Sequence, residues 1–282
     1  MLISQMFEKY KKDKELEGYS PHTLKAYKIQ SNLLIRYFGD IEFEDMTIDM
    51  LKDYIASQIE KLKPSSIGHR VKFLKSINRW AFELGYIKIN PAYPLKEPKQ
   101  GHRVPKCLSE EDIEMIRDNC KDSLERSLME LLYATGCRIG EIYKLNRSDI
   151  NFNHKSIIVD GKGSKEREVF FNTKCEIWLK KYFKDRKDDI DALFSTVRKP
   201  YRRMSIDQMR YVLKRVVKRI DGIEKSVYPH RFRHTYAIHL LENQCPLEII
   251  GDLMGHFKLE STKIYTQLST ERRRGLYQRY FK

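Results

Sequence analysis

A proline-rich stretch divides this chain and constrains its fold more than any other feature. Four prolines and a glycine fall between residues 90 and 105, among lysines and arginines. Proline lacks the amide hydrogen that helices and sheets use, so this composition favours neither. We therefore predict an interdomain linker at 91–106, between a domain at 1–90 and a second domain at 107–282.

The first ninety residues have the pattern of a small four-helix bundle. Ser20 is suited to cap a helix that has Pro21 in its first turn, and Thr47 is suited to start the next one. A third helix is predicted from about Ser65, and the segment before Gly18 supplies a fourth. Four basic side chains are expected on exposed faces, against phosphate groups or, equally, in water: Arg70, Lys72, Lys75 and Arg79.

The second region combines helices with one hairpin. Ser109 and the three acidic residues that follow it resemble a capping box, which begins a helix. Two strand-like runs at 156–159 and 168–171 flank a loop of glycine and lysine at 161–165. The predicted fold class is mostly α with a small antiparallel β-sheet.

Composition narrows the class of protein. The 54 Lys and Arg exceed the 39 Asp and Glu and give a net charge of +15. That charge is typical of a nucleic-acid-binding protein, although a solvated lysine-rich surface predicts it as well. The five cysteines have no paired spacing, which favours free thiols in a reducing cytoplasm. Neither an export signal nor a membrane-spanning stretch is visible, so a cytoplasmic protein without membrane contact is expected.

Four short motifs contain residues suited to phosphate chemistry. Arg138 follows Thr135-Gly136-Cys137 where one helix meets the next, and Glu141 lies one turn further on, at the spacing of an ordinary helical ion pair. Lys162 lies between two glycines in the hairpin loop. The other two motifs contain the pair His230 and Arg233, and the pair His256 and Tyr265. Taken singly, each motif also has a purely structural explanation, because tyrosines and histidines commonly pack in cores.

The spacing of three histidines also raises the alternative of a zinc site. His230 and His234 would share a helical face, and His239 lies one turn beyond. Zinc sites favour a carboxylate nearby, whereas Arg231 and Arg233 place two positive charges beside the ring nitrogens. We therefore predict no metal site.

Taken in order, the four motifs resemble those of the tyrosine recombinase family, from the helical bundle through Tyr265. The family signature is a Thr-Gly-x-Arg turn, a hairpin lysine, His-x-x-Arg, and Gly-His with a tyrosine nine residues later. Two positions depart from the signature: Cys137 replaces the usual aliphatic residue, and Phe232 replaces leucine. Both changes should affect packing and not charge. The match is closest to Xer and to phage-type or transposon integrases. It implies a four-helix core-binding domain, then an α+β catalytic domain whose tail contacts another subunit.

The resemblance assigns roles residue by residue. Glu141 would orient Arg138 or a neighbour, and Lys165 is close enough to Lys162 that either could be the hairpin lysine. The implied catalytic residues are Arg138, Lys162, His230, Arg233, His256 and Tyr265.

Phosphodiester chemistry explains why these residue types are needed. Two guanidinium groups can bind the nonbridging oxygens as negative charge gathers there. A tyrosine with a pKa of about 10 needs a proton acceptor such as His230 to attack at neutral pH. Tyr265 would become joined to the DNA 3′-phosphate, Lys162 would protonate the leaving 5′-oxygen, and His256 would hydrogen-bond a phosphate oxygen. Because the phosphotyrosine conserves the bond energy, no nucleotide cofactor is expected, and the resemblance implies a reaction without a metal.

The resemblance also implies partners. A helix predicted at 205–220, with Arg210, Lys214 and Arg215, corresponds to the one that the family lays into the major groove. The expected assembly is a homo-tetramer, or a hetero-tetramer, on double-stranded DNA with inverted-repeat core sites. The apolar stripe of the tail, from Leu276 to Phe281, would dock on a neighbouring subunit or pack in cis.

The implied activity is site-specific recombination through a Holliday junction. Its task is either Xer-like resolution of chromosome dimers or integration and excision of a mobile element. One alternative is a type IB topoisomerase, which uses similar chemistry. The other is a non-catalytic DNA-binding regulator.

Overall fold

The computed structural model describes residues 1–99, 107–161, 166–222 and 227–255. The chain divides into two compact units, Met1–His102 and Arg103–Lys282. Within the described ranges, no helix is long and apolar enough to cross a lipid bilayer.

Four α-helices form the described part of the first unit: α1 (Ile3–Leu16), α2 (Pro21–Phe38), α3 (Ile48–Ile59) and α4 (Pro64–Glu83). The side chains of Ser20 and Thr47 each accept a hydrogen bond from the backbone amide three residues on, which confirms both predicted caps. Helix α4 begins at Pro64, whose fixed φ suits the first turn of a helix.

The core of this bundle is aromatic as well as aliphatic. Tyr10 and Phe73 are fully buried, and the rings of Tyr10 and Trp80 pack in a T-shaped arrangement with their centroids 5.2 Å apart. Ala92 and Leu95 also belong to this core. The packed part of the first unit therefore extends past residue 90, into the first residues of the predicted linker, because their apolar side chains cover the bundle.

Seven α-helices and a three-stranded sheet make up the described part of the second unit. The sheet is antiparallel throughout, in the order β1 (Ile150–Asn151), β2 (Ser156–Asp160) and β3 (Glu166–Phe170). The helices are α5 (Glu110–Asp118), α6 (Ser123–Thr135), α7 (Ile139–Lys144), α8 (Thr173–Asp185), α9 (Ile206–Val217), α10 (Pro229–Glu242) and α11 (Leu247–Met254).

The sheet contains the predicted hairpin. Ile157 and Val169 are paired across β2 and β3 and are buried, whereas the neighbouring pair of Ile158 and Glu168 is exposed. Strand β3 begins two residues before the predicted run. Strand β1 was not predicted, because two residues are too few to show an alternating pattern. The prediction of a mostly helical chain with a small antiparallel sheet is confirmed.

Helix α6 lies at the centre of the second unit and packs against α8, α9 and α10. Its apolar face is fully buried, with Leu128 as an example, but two carboxylates on the same helix are buried as well. Glu130 accepts two hydrogen bonds from Arg117 of α5, and Glu125 accepts one from Arg215 of α9. These ion pairs attach the neighbouring helices to α6.

Helix α6 ends in a tight turn at Gly136, which has a left-handed φ of +61°. A side chain at this position would overlap the ring of Tyr236, which packs on the turn from α10. The next residues lead directly into α7, so this turn sets where α7 begins.

Replacing Gly136 with Ala should lower the free energy of unfolding of the second unit by about 3 kcal/mol. The left-handed conformation costs about 1–2 kcal/mol and the overlap with Tyr236 adds about 1–3 kcal/mol. Chemical denaturation followed by circular dichroism measures this loss. Gly222→Ala is the matched control, because Gly222 also has a positive φ but no atom of the described residues lies within 4 Å of its added Cβ. Equal losses in the two variants would contradict the steric role of Tyr236.

Candidate active site

Arg138 lies at the start of helix α7 and is oriented by Glu141. Its backbone amide donates to Oε2 of Glu141 at 2.7 Å, and its Nη1 donates to Oε1 at 2.8 Å. The Arg138 side chain is 33% exposed, whereas that of Glu141 is 6% exposed. A buried carboxylate thus holds a guanidinium group whose outer side reaches solvent, where an anionic ligand can bind.

Arg233 of α10 meets Arg138 at the end of helix α11. Arg233 is only 4% exposed; its Nη1 donates to the Gly136 carbonyl at 2.7 Å, and its Nη2 donates to the Met254 carbonyl. The next carbonyl, that of Gly255, lies 3.4 Å from Nη2 of Arg138. The two arginines predicted to bind phosphate are therefore brought together, although they are 95 residues apart in the sequence.

Arg167 on strand β3 also belongs to this site, although it was not predicted from the sequence. Its Nη1 and Nη2 donate to the two carboxylate oxygens of Glu141 at 3.0 and 2.9 Å, and its Nε donates to the Leu253 carbonyl at 2.9 Å. The alternation of side chains along a strand could have indicated this residue. Arg167 lies two residues before Val169 and so shares the inward face of β3, where a cation needs a partner of opposite charge.

Three consecutive carbonyls at the end of α11 thus bind three different arginines. Leu253 binds Arg167, Met254 binds Arg233, and Gly255 binds Arg138. The last carbonyls of a helix have no partner within the helix, and together they form the negative end of its dipole. This helix end can therefore gather cations that would otherwise repel each other.

The same charges shift the pKa of two nearby groups. Burial alone would raise the pKa of Glu141, but hydrogen bonds from Arg167 and Arg138 hold that pKa below its ordinary value, so the group is a carboxylate. Desolvation, together with the positive charges of Arg233 and Arg138, lowers the pKa of His230. His230 is therefore neutral near pH 7 and able to accept a proton.

Several predicted site residues lie outside the described residues. They are Lys162, His256 and Tyr265, together with Lys165, the alternative to Lys162, and the C-terminal tail. Gly255, the last described residue, directly precedes His256 in the sequence. The roles of these residues stay predictions.

The prediction that Arg70 is exposed was wrong. Arg70 is 9% exposed, and its Nη1 donates to the hydroxyl of Tyr54 at 2.6 Å. Its position is three residues after Ile67 and four before Leu74, which puts it on the apolar stripe of α4. Its guanidinium group also lies over the Tyr54 ring, which replaces the lost contact with water.

The other three basic residues of α4 are exposed, as predicted, and each has a partner within the first unit. Lys72 pairs with Glu97 at 3.4 Å. Lys75 donates to a backbone carbonyl at 3.0 Å, and Arg79 pairs with a glutamate one turn on at 2.7 Å. Exposed pairs of this kind are weak, so they leave these cations available to other anions.

Helix α9 corresponds to the helix predicted at 205–220 and is capped by Ser205. Its basic side chains lie on the exposed face, opposite the apolar residues that pack in the core. Arg210 pairs with a neighbouring aspartate and Arg215 with Glu125, while Lys214 is exposed.

The sequence itself matches two related families of known proteins. Residues 2–97 match the phage integrase SAM-like domain, and residues 106–272 match the phage integrase family. The chain therefore belongs to the phage integrase family, that of the site-specific tyrosine recombinases. The prediction that it is a tyrosine recombinase, and an enzyme, is confirmed.

Individual relatives agree with this assignment. The chain is 30% identical to tyrosine recombinase XerC of Staphylococcus aureus, over 92% of this chain and 90% of the relative. It is 32% identical to tyrosine recombinase XerD of Ralstonia nicotianae, over 93% of this chain and 88% of the relative.

Solved structures share the fold at lower identity. A lambda integrase dimer bound to a COC′ core site matches with a TM-score of 0.78 and 19% identity, over 92% of this chain and 96% of that one. The Tn1549 transposon integrase in complex with transposon right end DNA matches with a TM-score of 0.80 and 18% identity, over 99% of both chains.

Replacing Arg138 with Met should raise the pKa of His230, because one of the positive charges that disfavour its imidazolium is removed. The pKa is measured by following the Cε1 proton of His230 by NMR from pH 5 to 8 on the protein without DNA. Lys144→Met, at the exposed end of the same helix, should leave the pKa of His230 close to its original value. If both variants shift it equally, the effect comes from the net charge of the protein and not from Arg138.

Proposed function

We propose that this recombinase cleaves and rejoins double-stranded DNA through a 3′-phosphotyrosyl link on Tyr265. The observation that carries the proposal is the meeting of Arg138 and Arg233 at the end of α11, close to His230. That helix end leads into the Gly255-His256 motif, and Tyr265 follows nine residues later.

The site supplies positive charge where the reaction develops negative charge. Arg138 and Arg233 bind the nonbridging oxygens of the scissile phosphate, and they bind them most tightly as the pentavalent state forms. His230, whose pKa is lowered, accepts the phenol proton of Tyr265. The Tyr265 oxygen then attacks phosphorus, and the bond to the 5′-oxygen breaks.

The remaining roles rest on the motifs. Lys162 donates a proton to the departing 5′-oxygen, with Lys165 as the alternative donor, and His256 hydrogen-bonds a phosphate oxygen. The 5′-hydroxyl of a partner strand reverses the reaction by attacking the phosphotyrosine, so one phosphodiester bond replaces another. In this mechanism the protein's own cations stabilise the charge, and neither a metal nor ATP takes part.

The active assembly is proposed to be a tetramer, of identical or of paired related chains, on two inverted-repeat core sites. Strands are exchanged in pairs through a Holliday junction. A lambda integrase tetramer bound to a Holliday junction shares the fold at 19% identity and a TM-score of 0.77, which supports this assembly. The C-terminal tail, through its apolar stripe, contacts the neighbouring subunit.

Each region has a proposed part in binding DNA. Residues 1–90 form the core-binding domain, with Lys72, Lys75 and Arg79 against phosphates. Residues 107–282 form the catalytic domain, and 91–106, whose residues Ala92 and Leu95 pack on the first unit, connect the two. In the catalytic domain, the exposed face of α9 lies in the major groove. Its basic side chains are Arg210, Lys214 and Arg215.

The relatives named XerC and XerD support one biological task, the resolution of chromosome dimers. The fold shared with lambda and Tn1549 integrases supports the other task, integration or excision of a mobile element. Both tasks use the same strand chemistry, and both would take place in the cytoplasm.

Tyr265→Phe should abolish the covalent step, because phenylalanine has no oxygen to attack phosphorus. The substrate is a nicked duplex built from the site that the full chain selects out of a randomised duplex pool. Wild type should form a protein–DNA adduct that survives denaturant, with or without EDTA, whereas Tyr265→Phe should bind equally well and form none.

Four results would contradict the proposed function. An adduct in Tyr265→Phe would show that another residue is the nucleophile. A requirement for Mg²⁺ would rule out the metal-free step, and selective binding without any adduct would favour a DNA-binding regulator. Relaxation of plasmids without exchange between two sites would favour a topoisomerase instead.

Lys162→Ala should cleave a normal phosphodiester much more slowly, but it should cleave a 5′-phosphorothiolate at nearly the wild-type rate. A thiolate leaves without needing a proton, so the general acid is no longer required. Single-turnover adduct formation on the two substrates measures the difference. Lys165→Ala is the control, and if only that variant is rescued by the thiolate, Lys165 is the general acid.

A further inference from the structure

Arg167 lies largely buried at the junction of three elements of the catalytic unit, β3, α7 and α11. Its side chain is 11% exposed, and it makes a double hydrogen bond to Glu141 of α7 and a single one to the Leu253 carbonyl of α11. Neither partner is near it in sequence. An arginine with so little exposure can influence the site only through its hydrogen-bond partners, here the Glu141 carboxylate and the Leu253 carbonyl.

The carboxylate of Glu141 is shared between two arginines. Oε1 accepts from Nη1 of Arg138 and Nη1 of Arg167, and Oε2 accepts from the Arg138 amide and Nη2 of Arg167. The planar fork of Arg167 matches both oxygens and so fixes the plane of the carboxylate. Because Arg138 hydrogen-bonds to that same carboxylate, the direction of its guanidinium group depends on Arg167.

Arg167 also lies against the turn that follows α11. Gly255 has a left-handed φ of +60°, and a Cβ added to it would lie 2.9 Å from Nη1 of Arg167. The backbone at Gly255 therefore lies close to the guanidinium group of Arg167, and the hydrogen bond to the Leu253 carbonyl ties the end of α11 to the same side chain. The next residue along the chain is His256.

We propose that Arg167 is a positioning residue for strand cleavage, which sets Arg138 and the end of α11 in the relative placement that the reaction needs. Arg167 itself does not touch DNA. This inference rests on the proposed function, because it assigns Arg167 to the same reaction. Buried ion pairs often add little net stability, and precise placement is a role that such a pair serves well.

The test separates cleavage from binding and from folding. Arg167→Met keeps an unbranched apolar side chain that matches the aliphatic part of arginine, and it removes the guanidinium group with all of its hydrogen bonds. On the selected nicked duplex, the Kd should stay within about twofold, since Arg167 makes no contact with DNA. The single-turnover rate of adduct formation should fall roughly 10- to 100-fold, as expected when a supporting contact in a preorganised site is lost. A rate equal to that of wild type would overturn the inference.

A double-mutant cycle tests whether Arg167 acts through Glu141. If it does, the variant with both Arg167→Met and Glu141→Gln should cleave no more slowly than the slower single variant. If the two rate losses multiply, Arg167 and Glu141 act independently and the inference fails.

Arg186→Met is the matched control for deleting a buried arginine. Arg186 of the same unit also binds a carboxylate, that of Asp188, and backbone carbonyls, but it makes no contact with Glu141 or α11. This variant should lose thermal stability and cleave at the wild-type rate per folded molecule. An equal rate loss in Arg186→Met and Arg167→Met would show that general destabilisation explains both.

If Arg167→Met does not fold, Arg167→Lys provides the test instead. A lysine can donate to one oxygen of Glu141 but cannot hold both oxygens together with the Leu253 carbonyl, so cleavage at an intermediate rate is expected. Full activity in Arg167→Lys would overturn the inference. Failure of wild type itself to form an adduct would instead overturn the proposed function, which keeps the two failures distinct.

Discussion

The catalytic unit depends on the hydrogen bonds between arginines and the last carbonyls of helix α11, which have no partner within the helix. Three arginines, from α7, β3 and α10, each bind one of three consecutive carbonyls. Three guanidinium groups so close together repel one another, and the helix end and the carboxylate of Glu141 offset that repulsion. In the described part of this site one carboxylate faces three guanidinium groups, which leaves an excess of positive charge for the proposed phosphate ligand to balance.

Helix α6 positions two parts of this unit, the start of α7 and helix α9. Its apolar residues occupy the centre of the core, and its final turn at Gly136 sets the start of α7 and so the place of Arg138. Its buried Glu125 pairs with Arg215 of α9, the helix proposed to read DNA. One helix therefore aligns the charged site with the proposed DNA-binding surface, and both depend on the packing of its buried face.

Features set by short stretches of chain were predictable from the sequence. The caps at Ser20, Thr47 and Ser109 and the hairpin formed by β2 and β3 follow from residues within a few positions of one another. Two residues, Arg70 and Arg167, were predicted wrongly or not at all, because their partners are distant in sequence. Arg70 was assigned to the surface because of its charge, although the period of α4 puts it on the apolar stripe, where the Tyr54 hydroxyl accepts its hydrogen bond. Arg167 was missed because its partner, Glu141, lies 26 residues away in sequence.

The sequence by itself determined the family, the mostly helical fold with its small sheet, and the residue types available for phosphate chemistry. These depend on local backbone preferences and on motif order, both of which can be read along the chain. Only the tertiary structure decided which groups meet: that Arg138, Arg167 and Arg233 share one helix end, and that Glu141 serves two of them. The physical reason is that a buried charge takes whichever partner the packing of distant segments brings within hydrogen-bond distance, and no local pattern specifies that partner.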